Sequence, residues 1–376
     1  MSRPLLVAYR PLGLGDLLTG IPALRALRAA FPEHRVVLAA PAALAPLARL
    51  SDAVDEVLDT APLAVPALRG ADVAVNLHGR GPHSHRAVLA SNPRRTIAFA
   101  NAGVPSRGPE WRAGEHEVAR WCRLLEQSGI AADPARLDLP APGGSLAPGA
   151  TVIHPGAASP ARRWPPDRWA AVARAERDAG RHVVVTGSTD ERQLAEQVAR
   201  DAGLAPDVVL AGRTGLIELG ALVASAGRVL CGDTGVGHLA TAFGTPSVLL
   251  FGPTPPSEWG PPPEREQHVV LHRGGRGDPH GAEPDPGVLA ISVDDVLAVT
   301  RDRFPARSTG SRDDMGITDK ISGRIKQAAG DLADDASMRQ QGRKEERKGE
   351  AKEQQARAEE RADAKAEEVR DLDRQT

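Results

Sequence analysis

Short apolar runs alternate with helix-length segments along most of this chain, in two series separated by a Pro/Gly-rich stretch. Parallel neighbours need a crossover helix, so each series predicts a mostly parallel, doubly wound α/β sheet. In the first series, Leu5–Tyr9 reads as strand and Asp16–Phe31 as helix, with Ile21, Leu24, Leu27 and Arg28 at near-helical spacing. Arg35–Ala39 is the next strand, and Ala71–Leu77 is a later one that ends in a His/Gly/Arg loop. Glu115–Gln127 predicts a helix. Then comes Leu139-Pro-Ala-Pro-Gly-Gly-Ser-Leu-Ala-Pro-Gly149, a linker composition. The second series expects strands at Thr151–His154 and His182–Thr186, an extended Val208–Leu210, a short apolar strand in the stretch that opens at Arg228, and another at Ser247–Phe251. Helices are expected between them at Pro165–Ala179, Glu191–Ala202 and Ile217–Ala226.

Two Rossmann-like domains of similar size follow, residues 1–145 and 146–306, with a cleft between them as the preferred place for a ligand. Beyond them the character changes. Residues 307–314 read as a linker, and roughly half of the residues from 313 to 376 are charged, with no aromatic among them. Such a segment cannot bury a core and is expected to be marginally helical or disordered.

The bulk properties exclude several classes. A formal net charge of −2 over 376 residues gives no basic field for nucleic acid. Two cysteines, Cys122 and Cys231, fit a reducing cytosol. The apolar run at the N-terminus is too short for a signal peptide, and no run approaches the roughly 20 residues of a membrane span. A cytoplasmic protein is expected, with contact at the inner face of the membrane compatible with the sequence.

Candidate chemistry lies at the strand ends. Arg228-Val-Leu-Cys-Gly-Asp-Thr-Gly-Val-Gly-His238 is a strand, a Gly-rich turn and a helix start. It places Asp233 and Thr234 at a strand's carboxyl end, where open α/β sheets bind ligands, with Gly235, Gly237 and His238 beside them. Free N–H groups and the positive dipole end of that helix favour a phosphate or diphosphate. The first strand–helix turn, Arg10-Pro-Leu-Gly13-Leu-Gly15-Asp16, resembles a dinucleotide fingerprint only in part, because Leu18 stands where the third glycine belongs. Asp16 reads either as a helix N-cap or as a general base at the cleft mouth. In His154-Pro-Gly156-Ala-Ala-Ser159-Pro-Ala-Arg162-Arg163-Trp164, the paired arginines read as a diphosphate clamp or as an exposed basic loop. Glu218 is a weaker candidate for a ribose hydroxyl, or an ordinary surface glutamate. His78, His83 and His85 lack an acidic cluster and read as a polar acceptor-side loop, with no metal site expected. Asp233-Thr234-Gly235 also matches the aspartic-protease triplet, but a single copy in α/β surroundings excludes that reading.

Together these motifs resemble glycosyltransferase family 9, the ADP-heptose:lipopolysaccharide heptosyltransferases. The matching segments are Leu14-Gly-Asp16-Leu-Leu-Thr-Gly-Ile-Pro22, His154-Pro-Gly156 with Arg162-Arg163-Trp164-Pro165, and Asp233-Thr-Gly-Val-Gly-His238 with Phe251-Gly-Pro-Thr254. The resemblance implies two facing Rossmann-like domains of GT-B type and a metal-independent, inverting transfer with no resident cofactor, the nucleotide sugar serving as co-substrate. It implies Asp16 and Arg162 as catalytic residues, Asp16 as base and Arg162 where many members carry Lys beside the donor phosphates. Gly13, Gly15, His154, Gly156, Ser159, Arg163, Glu218, Asp233, Thr234, Gly235, Gly237 and His238 are the expected donor-binding set. A nucleoside-diphosphate sugar is the expected donor, and a cell-envelope glycan or glycolipid the expected acceptor. A non-catalytic, stress-associated nucleotide-sugar-binding protein is the alternative, and the incomplete Gly fingerprint speaks against a dehydrogenase or epimerase. The last segment, 315–376, with Met315-Gly-Ile-Thr-Asp-Lys-Ile321 and Ile325-Lys-Gln-Ala-Ala-Gly-Asp-Leu332, resembles the CsbD-like stress-response proteins.

Overall fold

The computed structural model describes residues 3–303. The linker expected at 307–314 and the segment expected at 315–376 to resemble CsbD-like proteins lie outside the described residues. In chain order the first half holds β1 (Leu5–Tyr9), α1 (Leu14–Ala30), β2 (Arg35–Ala40), α2 (Ala45–Leu50), β3 (Glu56–Asp59), β4 (Val73–Asn76), α3 (His83–Ala90), β5 (Arg95–Ile97) and α4 (Glu117–Glu126). The second half holds β6 (Thr151–His154), α5 (Pro166–Asp178), β7 (Val183–Val185), α6 (Arg192–Asp201), α7 (Leu216–Ser225) and β8 (Arg228–Gly232). It continues through α8 (Gly235–Phe243), β9 (Ser247–Phe251), α9 (Pro256–Trp259), β10 (His268–His272), α10 (Pro286–Leu289) and α11 (Val293–Arg303).

The strands form two five-stranded sheets, ordered β3-β2-β1-β4-β5 and β10-β9-β8-β6-β7, and their ladders are parallel. In each sheet the strand order reverses beside the first strand, between β1 and β4 and between β6 and β8. A crevice opens at the carboxyl ends of the strands at such a reversal, which is why ligands bind there. The central strands are apolar on both faces because helices cover both sides.

Helix α1 is buried around most of its circumference, through Leu17, Leu18, Ile21, Leu24 and Leu27 among others. One side packs on its own sheet and α4, and the other meets α8 of the second half. A single core cluster therefore runs from Leu6, Leu38 and Leu47 through Leu24 to Leu222, Leu239 and Leu249. Separate clusters fill the outer face of each sheet, around Tyr9 and Val88 in the first and around Trp164, Trp169 and Val198 in the second.

The Pro/Gly-rich connector is not a loose tether. Arg25 of α1 donates to the carbonyls of Arg136 and Asp138, both at 2.7 Å. From the other half, Arg265 donates to Asp138 Oδ1 at 2.8 Å, and Leu139 N–H donates to Ala242 O at 2.9 Å. Val208–Leu210, expected to be extended, is a 3₁₀ turn at Pro206–Val208 followed by one bridge from Val209 to Val185. The turn takes up the Val209 N–H, which donates to Pro206 O at 3.3 Å, and pairing with β7 is limited to the Leu210 N–H, which donates to Val185 O at 2.8 Å.

Candidate functional site

The first turns of α1 and α8 meet across the two halves. A Cβ added at Gly15 would stand 2.8 Å from the His238 ring, and one at Gly235 would stand 2.9 Å from Leu14 Cβ, Cγ and Cδ2. Glycine is what allows two helix N-termini to approach this closely. Their unpaired N–H groups and positive dipole ends converge on one cleft, a setting suited to an anion.

On the first-half side stands Asp16. Helix α1 begins at Leu14 with Gly13 as its N-cap, so Asp16 is the third residue inside the helix and not the N-cap residue of the simpler reading. Its Oδ2 accepts the Gly13 N–H at 3.2 Å, which fixes the carboxylate over the helix start. Its Oδ1 lies 3.5 Å from Arg10 Nη2. Burial pushes the Asp16 pKa up and the Glu117 charge adds to the rise, while Arg10 and the Gly13 N–H pull the other way. The net rise makes it a better proton acceptor than a surface aspartate.

On the second-half side, the β8–α8 turn carries the Asp233–His238 motif. Thr234 is the N-cap of α8, its Oγ1 accepting the Val236 N–H at 3.2 Å. Asp233 is buried, and burial raises its pKa against the lowering effect of Arg162. Arg162 Nη1 donates to Asp233 O at 3.3 Å and stands 3.7 Å from Asp233 Oδ2. Its Nε is buried without a partner among the described residues, so the guanidinium retains donor capacity. Gly237 packs against Leu249 and Cys231, where a Cβ would meet a leucine methyl at 3.1 Å. The His238 ring lies edge-on to Trp259 with centroids 5.9 Å apart. Burial, then the neighbouring His116 and Arg162, lower its pKa to about 4, so the ring is neutral near neutral pH.

Other expected site residues have intramolecular partners. His154 is buried at the end of β6, with Nδ1 at 3.1 Å from Thr186 Oγ1 and Nε2 at 3.9 Å from Glu191 Oε2. Gly156 leaves room for that same Glu191 carboxylate, since a Cβ there would collide with Oε1. Ser159 donates to Pro279 O, and Arg163 Nε donates to Ala157 O at 3.0 Å. Trp164 anchors the arginine loop, its Nε1 donating to Ile291 O at 2.9 Å. Glu218 closes back on the Gly215 N–H at 2.6 Å and so caps α7. His85 is a satisfied core histidine, 3.0 Å from Asn76 Nδ2 and 2.8 Å from Phe99 O. Among the described residues no group of three or more His, Cys, Asp or Glu side chains is placed to hold a metal. No helix among them is long and apolar enough to cross a membrane.

Sequence reasoning passed over Arg10, Glu117 and Trp121, which lie directly beneath Asp16. The available signal was a charged residue, Arg10, closing an apolar strand and flanking the Gly turn.

Residues 95–279 match Glycosyltransferase family 9 (heptosyltransferase). This region takes in Arg162, Asp233 and His238 and leaves Asp16 outside it. Lipopolysaccharide heptosyltransferase 3 of Escherichia coli strain K12 is 32% identical over 161 residues, covering 41% of this chain and 46% of that relative. The chain spans about half the length of the curated relatives it matches. Among solved structures, E. coli ADP-heptose lps heptosyltransferase II has a TM-score of 0.64 at 20% identity, over 79% of this chain and 98% of that one. E. coli heptosyltransferase WaaC with ADP has a TM-score of 0.59 at 18% identity, over 80% of this chain and 99% of that one. The fold is thus the α/β, two-sheet GT-B arrangement that these structures share.

Proposed function

We propose that this chain is an inverting, metal-independent glycosyltransferase that moves a heptose-type sugar from ADP-heptose to a lipopolysaccharide-like, cell-envelope acceptor. The observation that carries the reading is the meeting of the first turns of α1 and α8, which brings Asp16 and the Asp233–His238 turn with Arg162 to one cleft. The match of residues 95–279 to family 9 and the ADP in the WaaC relative support the donor class.

In this reading Asp16 takes the proton of the acceptor hydroxyl as its oxygen attacks the anomeric carbon. The bond from that carbon to the diphosphate breaks on the opposite face, and the configuration inverts. Negative charge grows on the departing diphosphate, where the α8 N-terminus, the Thr234–Gly235 backbone and Arg162 stabilise it. His238 is neutral and contributes shape and a hydrogen-bonding ring instead of charge.

Two measurements test the reading, with ADP-heptose as donor and a panel of truncated lipopolysaccharides as acceptors. Asp16→Asn should lower transfer on the order of 10²–10⁴-fold while leaving ADP affinity within a few fold. Full transfer by that variant removes Asp16 from the chemistry. Arg162→Ala should weaken ADP binding by about tenfold in titration calorimetry, the worth of one charge-assisted hydrogen bond. Unchanged binding would contradict its place beside the phosphates.

A further inference from the structure

Arg10 sits at the carboxyl end of β1, directly under the first turn of α1, and is buried. Its Nε donates to the Asp16 carbonyl at 2.5 Å, its Nη1 donates to Leu77 O, and its Nη2 donates to Thr19 Oγ1 at 3.2 Å and to Glu117 Oε1 at 2.9 Å. The guanidinium carbon lies 5.0 Å over the Trp121 ring. Glu117 is equally enclosed: Trp121 Nε1 donates to its Oε1 at 2.7 Å, and Arg120 pairs with its Oε2. From the cleft inward, the charges alternate Asp16, Arg10, Glu117, Arg120. A buried ionic row loses hydration and adds little stability over an apolar filling of the same volume. Its position beneath one carboxylate at the cleft is therefore the informative fact.

We propose that Arg10 and Glu117 are positioning residues for Asp16: Arg10 clamps the turn that carries the carboxylate, and Glu117 draws the guanidinium toward itself so that Asp16 keeps its affinity for a proton. The distances make the case, 2.9 Å from Arg10 Nη2 to Glu117 against 3.5 Å to Asp16 Oδ1. A cation paired fully with Asp16 would hold it as a weakly basic carboxylate. Sharing that cation with a second, buried carboxylate keeps the geometry and relieves the quenching. The opposing effects of Arg10 and Glu117 on Asp16 agree with this division. Of the other groups on the elements packed here, His238 from α8 is neutral near neutral pH, the His78 pKa at the end of β4 is lowered by burial and by Arg10, and Arg120 is taken up by Glu117.

The inference rests on Asp16 being the base, and its test separates the two. Full-length protein carrying ¹³C-labelled aspartate carboxyls is titrated by NMR, with the Asp16 signal identified by its loss in Asp16→Asn. Glu117→Gln, which preserves shape, should move the Asp16 titration to lower pH, and Arg10→Met should move it to higher pH. Arg10→Lys should keep the titration near that of the parent yet lower kcat with ADP-heptose by roughly tenfold, because the clamp on the α1 turn is lost while the charge remains. An Asp16 titration in Glu117→Gln that coincides with the parent overturns the proposal, and that variant alone decides if Arg10→Met fails to fold. Transfer that survives in Asp16→Asn would instead defeat the base reading, whatever the titrations show.

Discussion

At the scale of single residues, the cleft is arranged around protonation states. In the proposed mechanism Asp16 is a base, which it can be only when ionised, so transfer should fall as pH drops through its pKa. Because burial and Glu117 raise that pKa, the acid limb of kcat/KM should lie above the range of an ordinary aspartate. A limb at the pH of a free carboxyl would contradict the geometry. His238, at about 4, should add no inflection near neutrality. The motif residues Asp233, Thr234 and His238 were legible in the sequence because a Gly-rich turn after an apolar strand has one structural meaning. His154, Gly156, Ser159 and Arg163 were legible only as a segment. The side chains of His154, Ser159 and Arg163 bond within the protein, and no spacing rule distinguishes a phosphate ligand from a brace when both follow a strand. Arg10 and Glu117 are 107 residues apart in sequence, and only the packing of α4 beneath α1 brings them together.

At the scale of elements, the contact between α1 and α8 is the joint on which the site depends. A glycine replaced by alanine inside a helix ordinarily gains about 0.5–1 kcal/mol. Gly235→Ala should do the reverse, because its Cβ would press on Leu14 at 2.9 Å. Loss of about 1–3 kcal/mol by thermal denaturation is the expected overpacking penalty, together with weaker transfer. A stabilised variant would show that the helices separate freely. The main strands and helices could be read from periodicity, within two or three residues at most ends. Strands β3, β5 and β10 escaped. All three lie at sheet edges, β3 and β5 are short, and exposed residues such as Glu56 and Arg95 blur their apolar pattern. Burial around most of α1 also masks its amphipathic signal.

At the scale of the whole molecule, stability should carry a histidine signature. Both His238 and His268 have pKa values lowered to about 4, against 6.5 for an unperturbed ring. Between those values the unfolded chain binds protons that the folded chain does not, so stability falls as pH drops from 6.5 toward 4 and is full above that window. His268 Nδ1 lies 2.8 Å from Ser247 Oγ on the neighbouring strand, so His268→Gln should flatten the dependence of melting temperature on pH. An unchanged slope would show that the ring stays protonated in the fold. The core that passes from β1 through α1 and α8 to β9 also bears on how proteins of this fold can be recombined. A chimera spliced within the connector would join helices shaped for different partners, with Leu14 and Gly235, or Gly15 and His238, inherited from different parents. The unit of exchange is therefore the second half together with the α1 surface it rests on, and, in the proposed reading, acceptor preference is better moved by grafting strand-end loops than by trading halves.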